Sequence, residues 1–170
     1  ANSAAMAYLG TVAQALMAIA IAAGQPPRFQ IGEPWWWVGS DNALCAYDAA
    51  TVAAFATETG LPLPPAISDV RDALTVAQRD YLDWLGVMLG RATLALRDAA
   101  RAAASGAEVL LLFYAPQLLR ADAPDLRRAN LPAAWHWPAF DVLQLEDYDF
   151  VTSGDFGGQR AARAALAELG

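Results

Sequence analysis

Apolar residues run almost unbroken from Ala4 to Ala23, interrupted only by Thr11 and Gln14. Gly24 and the Pro26-Pro27 pair follow, a stop signal that predicts a helix over this run. Phe29 to Trp37 is short, apolar and aromatic, and predicts a buried strand leading into a loop. Asp48 stands as an N-cap for a helix through Thr59, closed by Gly60 and a connection containing Pro62, Pro64 and Pro65. A long helix is predicted from about Thr75 to Ala104, with Leu82, Leu85, Leu89 and Leu96 as its inward stripe. Gly86 and Gly90 in its middle mark close packing or a break. Glu108 to Tyr114 is the clearest strand, apolar on both faces as parallel strands between helical layers are. Ala115 to Pro138, with Pro116, Pro124, Pro132 and Pro138, reads as a long loop. A third strand is expected over Phe140 to Leu145, and Ser153 or Asp155 starts a last helix to Leu169.

This alternation of helices and strands favours an α/β fold with a parallel sheet covered by helices. Three strands and 170 residues fall short of a closed eight-stranded barrel, which usually needs about 250. Any barrel here is incomplete. One domain spanning 1–170 accommodates the whole pattern.

Hydrophobic residues make up 56% of the chain and charged ones 17%, which excludes the disordered class. The net charge of −7 provides no basic footprint for nucleic acid. Ala4 to Ala23 approaches membrane-spanning length, yet it lacks flanking positive charge and an aromatic belt. It reads as a helix packed on a sheet, not as a membrane span. The chain starts directly in this helix without an initiator Met, as a piece cut from something longer would. Cys45 has no cysteine partner and no base beside it, and reads as a small buried apolar residue.

Little in the chain carries chemistry: there is one histidine and one cysteine, and no phosphate-cradling glycine loop. No cofactor is implied. The informative residues are Glu33, in Gln30-Ile31-Gly32-Glu33-Pro34-Trp35-Trp36-Trp37, and Glu146, in Phe140-Asp141-Val142-Leu143-Gln144-Leu145-Glu146-Asp147-Tyr148-Asp149. Each is an acid at a strand end beside aromatics. Strand alternation places Phe29, Ile31 and Glu33 on one face and Val142, Gln144 and Glu146 on another. Were both faces turned into a barrel, the carboxylates would meet at its mouth as general acid and nucleophile or base. Trp35, Trp36 and Trp37 would offer flat faces to sugar rings, and Tyr114, Gln117, His136 and Tyr148 could line the same mouth. The plainer reading makes the glutamates solvated strand-end acids and the tryptophans packing. The run from Glu146 to Asp149 with Asp155 lacks the oxygen spacing and central glycine of a calcium loop, so no metal site is expected. Asp80, Asp83, Arg91 and Arg97 read as a solvated helix face.

The run Gln30-Ile31-Gly32-Glu33-Pro34-Trp35 resembles the strand-four signature of clan A glycoside hydrolases, with Gly32 where the usual asparagine stands. That resemblance implies Glu33 as acid/base and Glu146, at the end of a seventh strand, as nucleophile of a retaining mechanism. The chain is more similar to the TIM-barrel domains of phage and gene transfer agent tail proteins, including non-contractile tail sheath proteins. The Gln30-to-Trp36 run, the Ala46-Tyr47-Asp48 step and the Phe140-to-Asp149 block carry this likeness. It implies the later strands of a (β/α)-barrel, a place in the tail particle, and other tail subunits as partners. Cell-surface polysaccharide would be the ligand or substrate. The alternatives are a structural tail module without catalysis and a cellular clan A glycosidase. Open sheet edges would favour self-association of such a piece.

Overall fold

The computed structural model describes residues 2–169. Helix α1 (Ser3–Ala22) leads into strand β1 (Arg28–Ile31), followed by α2 (Ala49–Thr59) and α3 (Val76–Ala103). Strand β2 (Glu108–Tyr114) runs into the short helices α4 (Ala115–Leu118) and α5 (Leu126–Asn130) and a 3-10 turn at Ala133–Trp135. Strand β3 (Val142–Glu146), α6 (Tyr148–Ser153) and α7 (Phe156–Ala167) complete the order. The strands form one parallel sheet in the order β1-β2-β3.

The caps explain the helix boundaries. Asn2 accepts the N–H groups of Ala4 and Ala5 at the start of α1, and Asp48 accepts those of Ala50 and Thr51 for α2. Thr75 and Gln78 form a capping box at the start of α3. Gly60 ends α2 with φ 68°, a left-handed conformation that side chains resist.

β1 is shorter than the expected Phe29–Trp37 strand. Glu33 takes φ 52°, and Pro34 after it offers no N–H, so the ladder stops at Ile31 and the tryptophans belong to a loop. The expected long loop after β2 instead holds α4, α5 and the 3-10 turn, with a proline at the start of α4. α3 is unbroken. At Gly86 an added Cβ would collide with the carbonyl oxygen of Arg128, and at Gly90 it would lie 2.9 Å from the Ala134 Cβ. Both glycines exist for close packing.

The register sorts the sheet into two faces. Phe29 and Ile31 align with Val109 and Leu111, and Leu111 with Leu143. These odd positions face the helices, where Ile31, Val109, Leu111 and Phe113 join Met17, Trp135 and Phe140 in the main core. Each fully buried side chain of this size stabilises by about 1.5–3 kcal/mol. The even positions Gln30, Leu110, Leu112, Tyr114, Val142, Gln144 and Glu146 form the opposite face, and among the described residues no helix seals it. In a barrel that face would be the interior. A second core, of Leu44, Phe55, Ile67, Tyr81, Leu82, Leu85 and Leu126, lies under α2 and the proline-rich connection.

Helix α1 packs on α3 and β1, burying Ala13 and Met17, while Tyr8, Leu16 and Ile19 on its other side stay exposed. By length and composition it could cross a membrane, yet here it occupies the helical layer of an α/β fold.

Two expectations need correction. Cys45 is exposed, because Leu44 and Ala46 on either side point into the second core and alternation turns Cys45 outward. The solvated face expected of α3 holds at Asp80, Asp83 and Arg91, which are exposed, but not at Arg97, which is half-buried. Asp83 pairs with Arg128, Arg91 with Glu58, and Arg97 donates to the carbonyl of Ala139, tying α3 to its neighbours.

Candidate functional site

Parallel pairing brings the C-terminal ends of all three strands to one edge, so Glu33, Tyr114 and Glu146 lie at the same end of the sheet. This is the end where α/β proteins place their ligands.

A row of rings connects the three strand ends. Trp37 lies 5.9 Å from Trp35, Trp35 lies 5.5 Å from Tyr114, and Tyr114 lies 6.1 Å from Tyr148, between ring centroids. Trp35 is buried while Trp37 and Tyr148 are exposed, so the row rises to solvent at both ends. The Tyr114 hydroxyl donates to Asp149 at 2.5 Å. That bond, followed by burial and the charges of Asp149 and Glu146, raises the Tyr114 pKa above its ordinary value. The phenol keeps its proton and acts as a donor, not as a base.

The tryptophan loop is held from below. The Trp36 backbone N–H donates to Oδ1 of Asn130 at 2.6 Å, and its carbonyl accepts from Nε2 of Gln117 at 3.1 Å. The Trp36 indole N–H donates to the carbonyl of Leu85 at 3.1 Å. Three bonds from three helices fix one residue. Gln117 therefore supports the aromatic row from beneath. Asn130, with no exposure to solvent, was not among the residues the sequence singled out. Its only sequence signal was a polar residue inside the apolar stretch Ala129-Asn130-Leu131-Pro132.

The two glutamates are not brought into one pocket. Glu146 lines an open pocket of about 330 Å³ on the even face, with Gln30, Leu112, Gln144, Leu145, Asp147 and Tyr148. Glu33 lines another of about 200 Å³, with Pro34, Trp35, Trp36, Met88, Leu89 and Ala92, against α3. The two pockets share no residue. Register and backbone together explain why: Phe29 and Ile31 lie on the helix side, opposite to Gln144 and Glu146, and Glu33 stands beyond the strand end at φ 52°. β1 and β3 are also two strand positions apart, about 10 Å between backbones, where the hydrolase resemblance implied three.

His136 lies elsewhere, in the connection before β3, and lines a pocket with Arg127, Arg128, Leu131, Ala133, Glu168 and Leu169. Its Nδ1 is 2.6 Å from the carbonyl of Ala133. It joins neither glutamate. Among the described residues, no group of three histidine, cysteine or acidic side chains could hold a metal ion.

The family model described as Non-contractile tail sheath protein TIM barrel matches residues 1–169. No curated protein and no solved structure matches the chain.

Proposed function

Because this chain belongs to the TIM-barrel family of non-contractile tail sheath proteins and its place is the phage tail particle, we propose that it is a structural barrel module whose strand-end mouth binds carbohydrate without cleaving it. Its partners within the particle are other tail subunits.

The observation that supports this reading is the contrast at the mouth. The aromatic row Trp37-Trp35-Tyr114-Tyr148 is continuous across all three strand ends, whereas Glu33 and Glu146 line separate pockets. Sugar rings stack on indole and phenol faces through their C–H groups, and Glu146, Asp149 and the Tyr114 hydroxyl supply polar partners beside them. Hydrolysis has stricter needs. A retaining pair holds its carboxyl groups about 5–5.5 Å apart and an inverting pair about 6.5–9.5 Å, on opposite sides of one sugar ring. Two acids that line separate pockets share no common space for such a ring, which favours binding over cleavage.

The test is a panel of bacterial surface polysaccharides and β-glycosides presented to the full-length protein. Retention of at least one glycan, weakened by Tyr148→Ala and Trp37→Ala, with no turnover, is the expected result. Turnover abolished by both Glu33→Gln and Glu146→Gln would restore the two-carboxylate enzyme. An absence of both binding and turnover would leave a purely architectural module.

A further inference from the structure

A further cavity lies behind the tryptophan loop, sharing Trp36 and Met88 with the Glu33 pocket, where the start of α1, α2 and α3 converge. It has a volume of about 270 Å³, and its lining includes Trp36, Trp84, Met88, Asp48, Thr51 and Asn2. From this lining we propose that the cavity binds a small alkylammonium cation of the choline type.

The two indoles reach it already oriented. Tyr81 stacks on Trp84 at 5.9 Å and Phe55 meets Trp84 edge-on at 5.3 Å, while the Trp84 N–H donates to Glu58. The Trp36 N–H is likewise engaged by Leu85. With both indole N–H groups committed to protein acceptors, what the rings offer a guest is the π surface that Tyr81 and Phe55 leave uncovered. A cation within about 6 Å of such a ring is attracted by its quadrupole. The Met88 side chain, whose sulfur accepts from Arg91, adds a polarisable wall.

The electrostatics agree. Asp48 brings a carboxylate to the lining, no lysine, arginine or histidine is among the lining residues, and Arg91, which touches the Met88 sulfur, is neutralised by its pair with Glu58. The Thr51 hydroxyl and the N–H groups of Thr51 and Ala50 bond that carboxylate and hold it below the usual carboxylate range. It therefore stays charged through mildly acidic pH. Aromatic faces, a thioether and one fixed negative charge disfavour anions and favour a soft, weakly hydrated cation. The volume of about 270 Å³ is below the 300–1,000 Å³ typical of pockets for drug-sized ligands, and so suits a smaller guest.

Choline chloride and tetramethylammonium chloride are titrated calorimetrically into the full chain at constant ionic strength. 3,3-Dimethylbutanol serves as the uncharged choline isostere. Saturable choline binding is expected, with the isostere about thirtyfold weaker, the size of one desolvated cation–π contact. Trp84→Ala should weaken binding about as much, and Trp84→Phe, which keeps an aromatic ring against Phe55 and Tyr81, less. Asp48→Asn removes the charge yet retains a competent helix cap, so a weakening there cannot be put down to a lost fold. Absence of saturation, equal affinity for the isostere, or binding untouched in both Trp84→Phe and Asp48→Asn would overturn the assignment.

Discussion

The Asn130 carboxamide oxygen accepts the backbone N–H of Trp36 at 2.6 Å, from a side chain with no exposure to solvent. A residue late in the chain thereby sets the height of the loop that carries the aromatic row. Asn130→Ala leaves the Trp36 N–H without this partner in a partly buried position. A loss of about 1–3 kcal/mol is expected. Urea unfolding measures it, and the near-ultraviolet circular dichroism of the tryptophans should change with it. Unchanged stability would mean that the loop is held by Gln117 and Leu85 alone.

Gly86 makes the reverse of the usual helix prediction. A glycine-to-alanine change inside a helix normally stabilises by about 0.5–1 kcal/mol. Here the new methyl meets the Arg128 carbonyl oxygen, where α5 crosses α3. Gly86→Ala should destabilise by about 1–3 kcal/mol. Gly106→Ala, with nothing within 4 Å of the added atom, is the control that should not. Both are read from denaturant midpoints.

Glu33 carries a conformation its side chain does not favour, at φ 52°. Glu33→Gly removes that conflict and should stabilise the fold or leave it unchanged, by up to about 1 kcal/mol, whereas Glu33→Gln should do nothing. Thermal unfolding distinguishes them. A marked loss with glycine would show that the Glu33 side chain contributes more than the backbone conflict costs.

Asp141 links the N-terminal ends of β2 and β3. Its Oδ2 accepts the Val109 N–H at 2.8 Å, and the Asp141 N–H returns a bond to the Val109 carbonyl. The Val109 bond first, then Arg101, lowers the Asp141 pKa. A carboxyl lowered in the folded state stabilises above its unfolded pKa of about 3.9 and loses that contribution as pH falls through the folded value. Asp141→Asn should therefore cost stability at neutral pH and show a flatter acid limb below about pH 4, followed by urea midpoints across pH. Parallel acid limbs for the two proteins would contradict the assignment.

What the sequence made readable was local. Asp48, Thr75 and Gly60 carry their capping chemistry in their own side chains or in the lack of one, so α2 and α3 are found near their true ends. The three strands also emerge, because Val109 to Phe113 and their neighbours are apolar beyond what a loop tolerates. β1 was overextended because the tryptophans that outweighed Gly32 and Pro34 belong to the mouth. α4 and α5, at four and five residues, are too short to show a helical period. The relation of Glu33 to Glu146 was beyond reach for a different reason. Which face a strand residue takes depends on how Ile31 aligns with Leu111 and Leu111 with Leu143, and register is a property of pairs distant in the chain.

The alternation along β2 has a consequence for how this protein can change over time. Val109, Leu111 and Phe113 are confined by side chains of the same polypeptide, so drift there must be matched by compensating changes at Met17, Trp135 or Phe140. Leu110 and Leu112, on the side that no described helix covers, escape that mutual confinement. One strand thus carries two rules in alternate letters, an inward one of self-fit and an outward one that the core does not dictate.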